Sequence, residues 1–305
     1  MDSMTKRKQN SLFITLDDLV SEDHPYRKLD ALLSFDELAN PFLDIYSAKG
    51  RKEKGVSFGL RTLVLQFIED ISDREMERFL RENNSAKWFC ELGLTEKTPD
   101  HSYFGDFRKR LGTKNIMAVF QRVRESLKAM GLIREVFTFV DASHLISKLT
   151  TWDDRDRSIK AGLEKFNNDT AEKIAVDMQS GLINKIAATS AEVTDASGLT
   201  HVCPNGGAVF GDKGYCVNPA KSTLKRNGCH DATIKKANMK GKDTEKDRWI
   251  SKMRSPYERV FAHRNRRVRY RGLEKVQFQV GIRALTFNLK RMITLGFNNI
   301  DLVPA

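Results

Sequence analysis

Two short β-forming runs constrain this chain most, because each delivers an aspartate from an apolar strand. The first is Val136-Phe137-Thr138-Phe139-Val140, followed by Asp141. The second is Gly207-Ala208-Val209-Phe210, followed by Gly211, Asp212, Lys213 and Gly214. Phe and Val suit a pleated, buried surface, so both runs read as strands. A carboxylate at the end of such a strand is costly unless it is solvated, paired or bound to a cation. Taken singly, each is a turn aspartate closing a strand, the second in a Gly-Asp-Lys-Gly turn. Together with a later glutamate they say more.

The 305 residues suffice for one large domain or two smaller ones. Charged residues at 30% and hydrophobic ones at 40% fit a folded chain and not a disordered one. The net charge of +12 favours a polyanionic partner, most simply nucleic acid. An anionic membrane is the rival. Against it, the sequence offers no long apolar span, no signal peptide and no basic amphipathic anchor. The four cysteines, Cys90, Cys203, Cys216 and Cys229, form no C-x-x-C pair. They read as reduced structural thiols of a cytoplasmic protein. Their spacing disfavours a zinc set of Cys203, Cys216, Cys229 and His230.

The N-terminal part reads as helical. A basic start (Lys6, Arg7, Lys8) and a loop lead to a helix over Arg27–Leu38, ended by Asn40-Pro41. Lys49–Gly55 is a charged linker. Leu60, Leu63, Val64, Phe67, Ile68 and Ile71 recur at helical spacing. Ser72-Asp73-Arg74-Glu75 fits a capping box for the next helix, to about Asn83. A third helix is expected over Ser85–Leu92. A fourth opens at Thr98–Ser102 with a basic outer side of Arg108, Lys109 and Arg110. His101 reads as a first-turn capping or packing residue. Such short helices suit a helix-turn-helix reader and a plain bundle equally. A helix over 115–130 stops at Gly131, and the domain boundary is set near Leu132.

The second part alternates strands and helices. Lys173–Met178 and Leu182–Thr189 form an antiparallel hairpin through Gln179-Ser180-Gly181. Val193–Leu199 makes a helical turn or loop. Asn218-Pro219-Ala220 opens a basic helix, and His230–Lys235 is a short strand. Ser255-Pro256-Tyr257-Glu258 reads as a helix start, with Ser as N-cap and Pro in the first turn. Nine basic residues lie between Lys252 and Lys275, against only Glu258 and Glu274. A core-packing helix from Lys275 closes the chain.

Two strand-end aspartates and one helical glutamate form the donor set that two divalent metals require. Hard carboxylate oxygens suit Mg²⁺, which keeps positions open for water and phosphate. Two such ions about 3.5–4 Å apart serve phosphodiester chemistry. The arginines around Glu258 would offset repulsion between these carboxylates and a polyanion.

At this point the residues match a family. ISDREMERFLRENNSAKWFCELGL, then TPDHSYFGDFRKRL, FTFVDASHL, AVDMQSGLINKIAATSAEVTDASGL, VFGDKGY and SPYERVFAHRNRRVRYRG follow in that order. The chain resembles the DDE transposases of bacterial insertion sequences, of the insertion-sequence-five type, over nearly its whole length. The resemblance implies an α/β fold, an RNase H-like mixed sheet of about five strands flanked by helices. It implies an N-terminal helical DNA-binding domain at 1–131 and a DDE catalytic domain at 132–305. The implied metal-binding and catalytic triad is Asp141, Asp212 and Glu258, holding two Mg²⁺ ions that Mn²⁺ can replace. Lys213, Arg254, Tyr257, Arg259, Arg266, Arg267, Arg269 and Arg271 are the implied DNA contacts. The implied partners are double-stranded DNA (terminal inverted repeats and target DNA) and further copies of the chain. The implied location is the bacterial cytoplasm, on the nucleoid. The implied reaction is nicking at the element's ends, then attack of the 3′-hydroxyl on target DNA. One departure stands out. Where relatives carry a longer basic, aromatic insert, Phe166–Lys173 runs almost directly into Ile174–Asp177, a shortened segment near 166–174 that bears on the second strand and on activity. The rival readings are a catalytically impaired DNA-binding relic or regulator, and an RNase H-like nuclease or resolvase that cuts without joining.

Overall fold

The computed structural model describes residues 14–46, 54–147, 170–262 and 267–304. The chain divides into two compact units, 1–110 and 111–305. That division falls earlier than Leu132, next to Gly112, whose φ of 68° interrupts the helix His101–Ala129.

The first unit is helical among its described residues: α1 (Leu16–Leu19), α2 (Pro25–Leu32), α3 (Phe35–Ala39), α4 (Val56–Ile68), α5 (Asp73–Glu82), α6 (Asn84–Phe89) and the start of α7 (His101–Ala129). The single helix expected over Arg27–Leu38 is in fact two. Leu33 turns extended, and the Ser34 hydroxyl accepts the Glu37 N–H to start α3. Asn40-Pro41 does not end regular structure but opens a 3₁₀ segment, Asn40–Ile45. The Ser72–Glu75 capping box forms as the sequence predicts. Arg108 is not a solvated outer residue: its guanidinium grips the Asp73 carboxylate at 2.8 and 2.5 Å. Within the core, the buried Arg61 lies between the Phe35 and Phe89 rings and pairs with Asp30 and Glu91. His101 opens α7 with its ring nitrogen Nδ1 3.1 Å from Glu77.

The second unit is built on a mixed sheet. Its strands are β1 (Phe137–Ser147), β2 (Thr170–Asp177), β3 (Ile183–Ser190), β4 (Ala208–Gly211) and β5 (His230–Thr233), in spatial order 3-2-1-4-5. β1, β2 and β3 pair antiparallel, whereas β4 and β5 run parallel to β1. This is the RNase H-like sheet expected, flanked by helices. A two-residue strand, β6 (Arg267–Val268), pairs with the far end of β1. Between the strands lie α8 (Asp195–Gly198), α9 (Asn218–Arg226) and α10 (Thr244–Ala262), and α11 (Leu273–Thr294) follows β6. The Gln179-Ser180-Gly181 hairpin forms, with Gly181 at φ 74° and the buried Asp177 carboxylate accepting the Gln179 and Ser180 N–H groups.

β2 is eight residues long: all eight pair with β1 and seven with β3, while residues 148–169, which hold the start of the shortened segment, lie outside the described set. The edge strand β3 is covered by side chains of α11. Asn288 bonds both the N–H and the carbonyl of Ile183, and Gln277 takes the Ala188 N–H. These contacts occupy the edge groups of Ile183 and Ala188, which are thereby closed to pairing with another strand.

β4 approaches β1 through Gly207, at φ 73°. A Cβ there would lie 1.9 Å from the Glu135 carbonyl oxygen and 2.6 Å from that of Val136. Next to it, the Ala208 N–H donates to Val136 at 2.8 Å. Only glycine tolerates both the positive φ and the contact. Gly207→Ala is therefore expected to lower stability by more than about 2 kcal/mol, read as a fall in the denaturant midpoint. An unchanged midpoint would show that β4 does not depend on this approach.

Candidate active site

Asp141 is not at the end of its strand. It sits midway along β1, which continues to Ser147 because β2 keeps pairing as far as Leu145. On the other side, however, pairing with β4 stops at Phe139 and resumes with β6 only at Ile146. Asp141 thus stands in the fork between β4 and β6. Phe139 pairs with Phe210, so continuing the parallel register sets Asp141 beside Asp212, one residue past β4. Side chains alternate between faces, and both aspartates therefore share the face of Phe139 and Phe210.

Helix α10 crosses that same face. Trp249 packs on the Phe210 ring (6.0 Å between centroids) and Tyr257 on Phe139 (6.2 Å). The Ser255–Glu258 stretch does not start this helix, as its sequence suggests. The helix begins more than two turns earlier, where the Asp243 carboxylate accepts the N–H groups of Glu245 and Lys246, both at 3.0 Å. Pro256 is carried inside it. Asp243 together with the buried Ile250 and Arg254 at i, i+4 spacing is the signal that marks the true start.

Glu258 and Arg254 lie one turn apart on α10. The buried Arg254 guanidinium sits 3.5 Å from the Glu258 carboxylate and over the Phe139 ring. Tyr257 donates its hydroxyl to the Met178 carbonyl, tying α10 to the end of β2. Lys213 is exposed beside Asp212, whose carboxylate accepts the Gly214 N–H at 2.8 Å. Of the other implied contacts, Arg267 lies on β6, and the Arg269 N–H donates to Gln279. Arg271 is exposed, whereas Arg266 and the side chains of Arg259 and Arg267 lie outside the described set.

Burial pushes the Asp141 carboxyl up to about 6, against the pull of the Ala142 N–H and Arg254, with Asp212 and Asp195 adding to the rise. Asp195 is a residue that sequence patterns miss. It is held at 2.6 Å by Lys173, a fully buried lysine of β2 that pairs with Ala142, next to Asp141. A charged residue in an apolar strand was the available signal. Tyr215, also buried here, has its hydroxyl pushed far up by burial and by the Asp195, Asp141 and Asp212 charges.

Hard oxygen donors on one face, one of them a carboxyl that burial and a like charge make harder to ionise, fit a divalent cation, which would favour the ionised form. Glu258 does not join them in this conformation. Among the described residues no three His, Cys, Asp or Glu side chains are gathered to hold a metal. The cysteines form no such set either: the Sγ atoms of Cys203 and Cys229 are 3.9 Å apart, and Cys216 faces Met239.

Residues 14–110 match a family described as a transposase domain (DUF772), and residues 216–293 match one described as a transposase DDE domain. Each of the two units thus matches a transposase-domain family over part of its length. The DDE match includes Glu258 and the arginines that follow it, whereas Asp141 and Asp212 lie before it. No curated protein matches the sequence. Among solved structures, similarity was found to the Mos1 transposase paired-end complex with left transposon end: 7% identity, 84% of this chain and 83% of that one covered, TM-score 0.20. A pre-cleavage Mos1 transpososome gives 8% identity, 82% of each chain and the same TM-score. No described helix is long and apolar enough to cross a membrane.

Because the folded-state pKa of Asp141 lies above the ordinary carboxyl value, its contribution to stability is complete below about pH 4. It is lost as pH rises through about 6. Asp141→Asn should therefore raise stability at pH 7 by up to about 3 kcal/mol and change it little at pH 4. Thermal melts of the metal-free protein at both pH values check this, and equal effects at the two would refute it.

Proposed function

We propose that this chain is a DNA transposase of the insertion-sequence-five type. It nicks DNA at the ends of its element and joins the released 3′-hydroxyl to target DNA. The observation that carries the reading is the β1–β4 register, which sets Asp141 beside Asp212 on the face crossed by the Glu258 helix. The transposase-domain matches support it. Asp141 and Asp212 would hold Mg²⁺, or Mn²⁺ in its place, and Glu258 would complete the set once its carboxylate leaves Arg254. Bound there as a pair, such ions would supply activation of the attacking oxygen and stabilisation of the leaving one.

The chain's own residues have distinct parts in this reading. Arg254 holds the Glu258 carboxylate and Tyr257 anchors its helix, so both position rather than grip DNA. Lys213 meets phosphate beside Asp212. Arg259, Arg266, Arg267, Arg269 and Arg271 neutralise the DNA backbone, which makes binding steeply salt-dependent. The helical domain at 1–131 recognises the terminal inverted repeats. Because two ends must be joined to one target, the working form is a homo-oligomer on DNA, in the cytoplasm at the nucleoid.

One observation favours a second reading. Glu258 engages Arg254, and no three-carboxylate cluster is gathered among the described residues, as in a relic or regulator that binds ends without cutting them.

A Mg²⁺-dependent nicking assay on DNA bearing the element's ends decides between them. Cleavage is expected from the unmutated chain. Asp141→Asn, Asp212→Asn and Glu258→Gln should each reduce it by about a hundredfold or more while end binding persists. Absence of cleavage from the unmutated chain and the variants alike would establish the second reading. Recovery of 3′-joined product distinguishes a transposase from a simple nuclease.

A further inference from the structure

Two thiols of the second unit meet away from the acidic site. All four cysteines are free. Cys90 is buried in the first unit, and the Cys216 sulfur faces the Met239 thioether at 3.5 Å. Cys203 and Cys229, 26 positions apart, face each other instead, with their Sγ atoms at 3.9 Å. Both backbones are held. Lys185 donates to the Cys203 carbonyl at 2.6 Å. The Cys229 N–H donates to Leu224 at 2.9 Å, and that of His230 to Gly207 at 2.8 Å. Cys203 is buried, whereas Cys229 is partly exposed. The Cys229 sulfur lies 3.5, 3.5 and 3.6 Å from the carbonyl oxygens of Pro204, Gly206 and Asn227.

We propose that Cys203 and Cys229 form a dithiol site at which a peroxide makes an intramolecular disulfide. The partly exposed Cys229 meets the oxidant first. Its sulfur, its proton lost, attacks one oxygen of hydrogen peroxide; the O–O bond breaks and the leaving oxygen takes that proton to become water. Cys229 is then a sulfenic acid, whose hydroxyl the three surrounding carbonyls can accept. The Cys203 sulfur attacks the Cys229 sulfur, the S–O bond breaks, and the Cys203 proton leaves with the hydroxide as a second water. Two thiols lose two electrons and the peroxide gains them. The sulfurs have to close by about 1.9 Å to reach the roughly 2.0 Å of a disulfide. Burial raises both thiols above their ordinary pKa, so neither is a fast-reacting thiolate and the site answers sustained oxidation. The bond closes a loop that holds β4, Asp212 and α9. Cys203 precedes β4 and Cys229 precedes β5, and these strands run parallel, so the link lies at the end opposite Asp212. Asp212 is five residues beyond Gly207, roughly 16 Å of extended chain. The cross-link therefore stands apart from the transposase chemistry.

The test is treatment of the reduced full chain with hydrogen peroxide in chelator, then alkylation under denaturing conditions, digestion and mass spectrometry. The unmutated chain is expected to lose two hydrogens in mass and to yield one peptide pair joined through Cys203 and Cys229, with Cys90 and Cys216 alkylated. Its melting temperature should rise by about 5 °C or more, because the unfolded chain is now looped, and fall back with dithiothreitol. Cys229→Ser should abolish both the joined pair and the rise; melts in reductant show that this variant folds. Four alkylated cysteines after prolonged oxidation would overturn the proposal. So would Cys229 stopping at the sulfinic acid, or a joined pair found only between two copies of the chain. Nicking of DNA by the reduced chain is read separately and bears only on the transposase reading.

Discussion

The structure of the second unit turns on the parallel pairing of Phe137–Phe139 with Ala208–Phe210. Two chain segments about seventy positions apart are locked in one register, and two positions further along that register both residues are acidic. A slip of one residue would send one carboxylate to the opposite face, because side chains alternate. Gly207 guards the entry to this pairing by letting the backbones touch where no side chain fits. The consequence is electrostatic. Asp141 is buried near a second carboxylate, and its ionisation is suppressed. A fold that keeps two like charges this close gives up stability for a site that a cation would relieve.

Helix α10 supplies the opposing wall. Its aromatic residues rest on the strand phenylalanines, and its buried arginine lies over the Phe139 ring and against Glu258. Arg254 lowers the Asp141 pKa while holding Glu258, so one guanidinium is shared between the sheet and the helix. Such sharing makes Glu258 the movable member of the three acids. Asp141 is fixed by its strand pairing with Ile174 and Asp212 by the turn in which its carboxylate accepts the Gly214 N–H, whereas the Glu258 carboxylate is held by a side-chain contact at the surface.

Much of this was legible in the sequence, for identifiable reasons. The hairpin at Gln179-Ser180-Gly181, the Ser72 capping box and the strand before Asp212 each depend on local chemistry that adjacent residues spell out. That the second unit holds a mixed sheet of about five strands came from resemblance, and its strand order from the structure, since periodicity alone cannot set which strands are neighbours. What escaped was decided by distant partners. Asp141 looks strand-terminal because the β-forming run ends there, yet β2 extends the strand beyond it. Ser255-Pro256 mimics a helix start inside a helix whose beginning, Asp243, lies in a polar stretch with no apolar run to announce it. Lys173 sits in a buried strand that its charge would exclude, and only the Asp195 contact from a later segment accounts for it.

The central claim is that Asp141 and Asp212 stand side by side, and it can be tested without cleavage or metal. The measurement is a carboxyl-detected NMR titration of Asp141 in the metal-free protein, alone and with Asp212→Asn. The account predicts an elevated Asp141 pKa, near 6, that falls when the neighbouring charge is removed. An Asp141 pKa that ignores the state of residue 212 would contradict it.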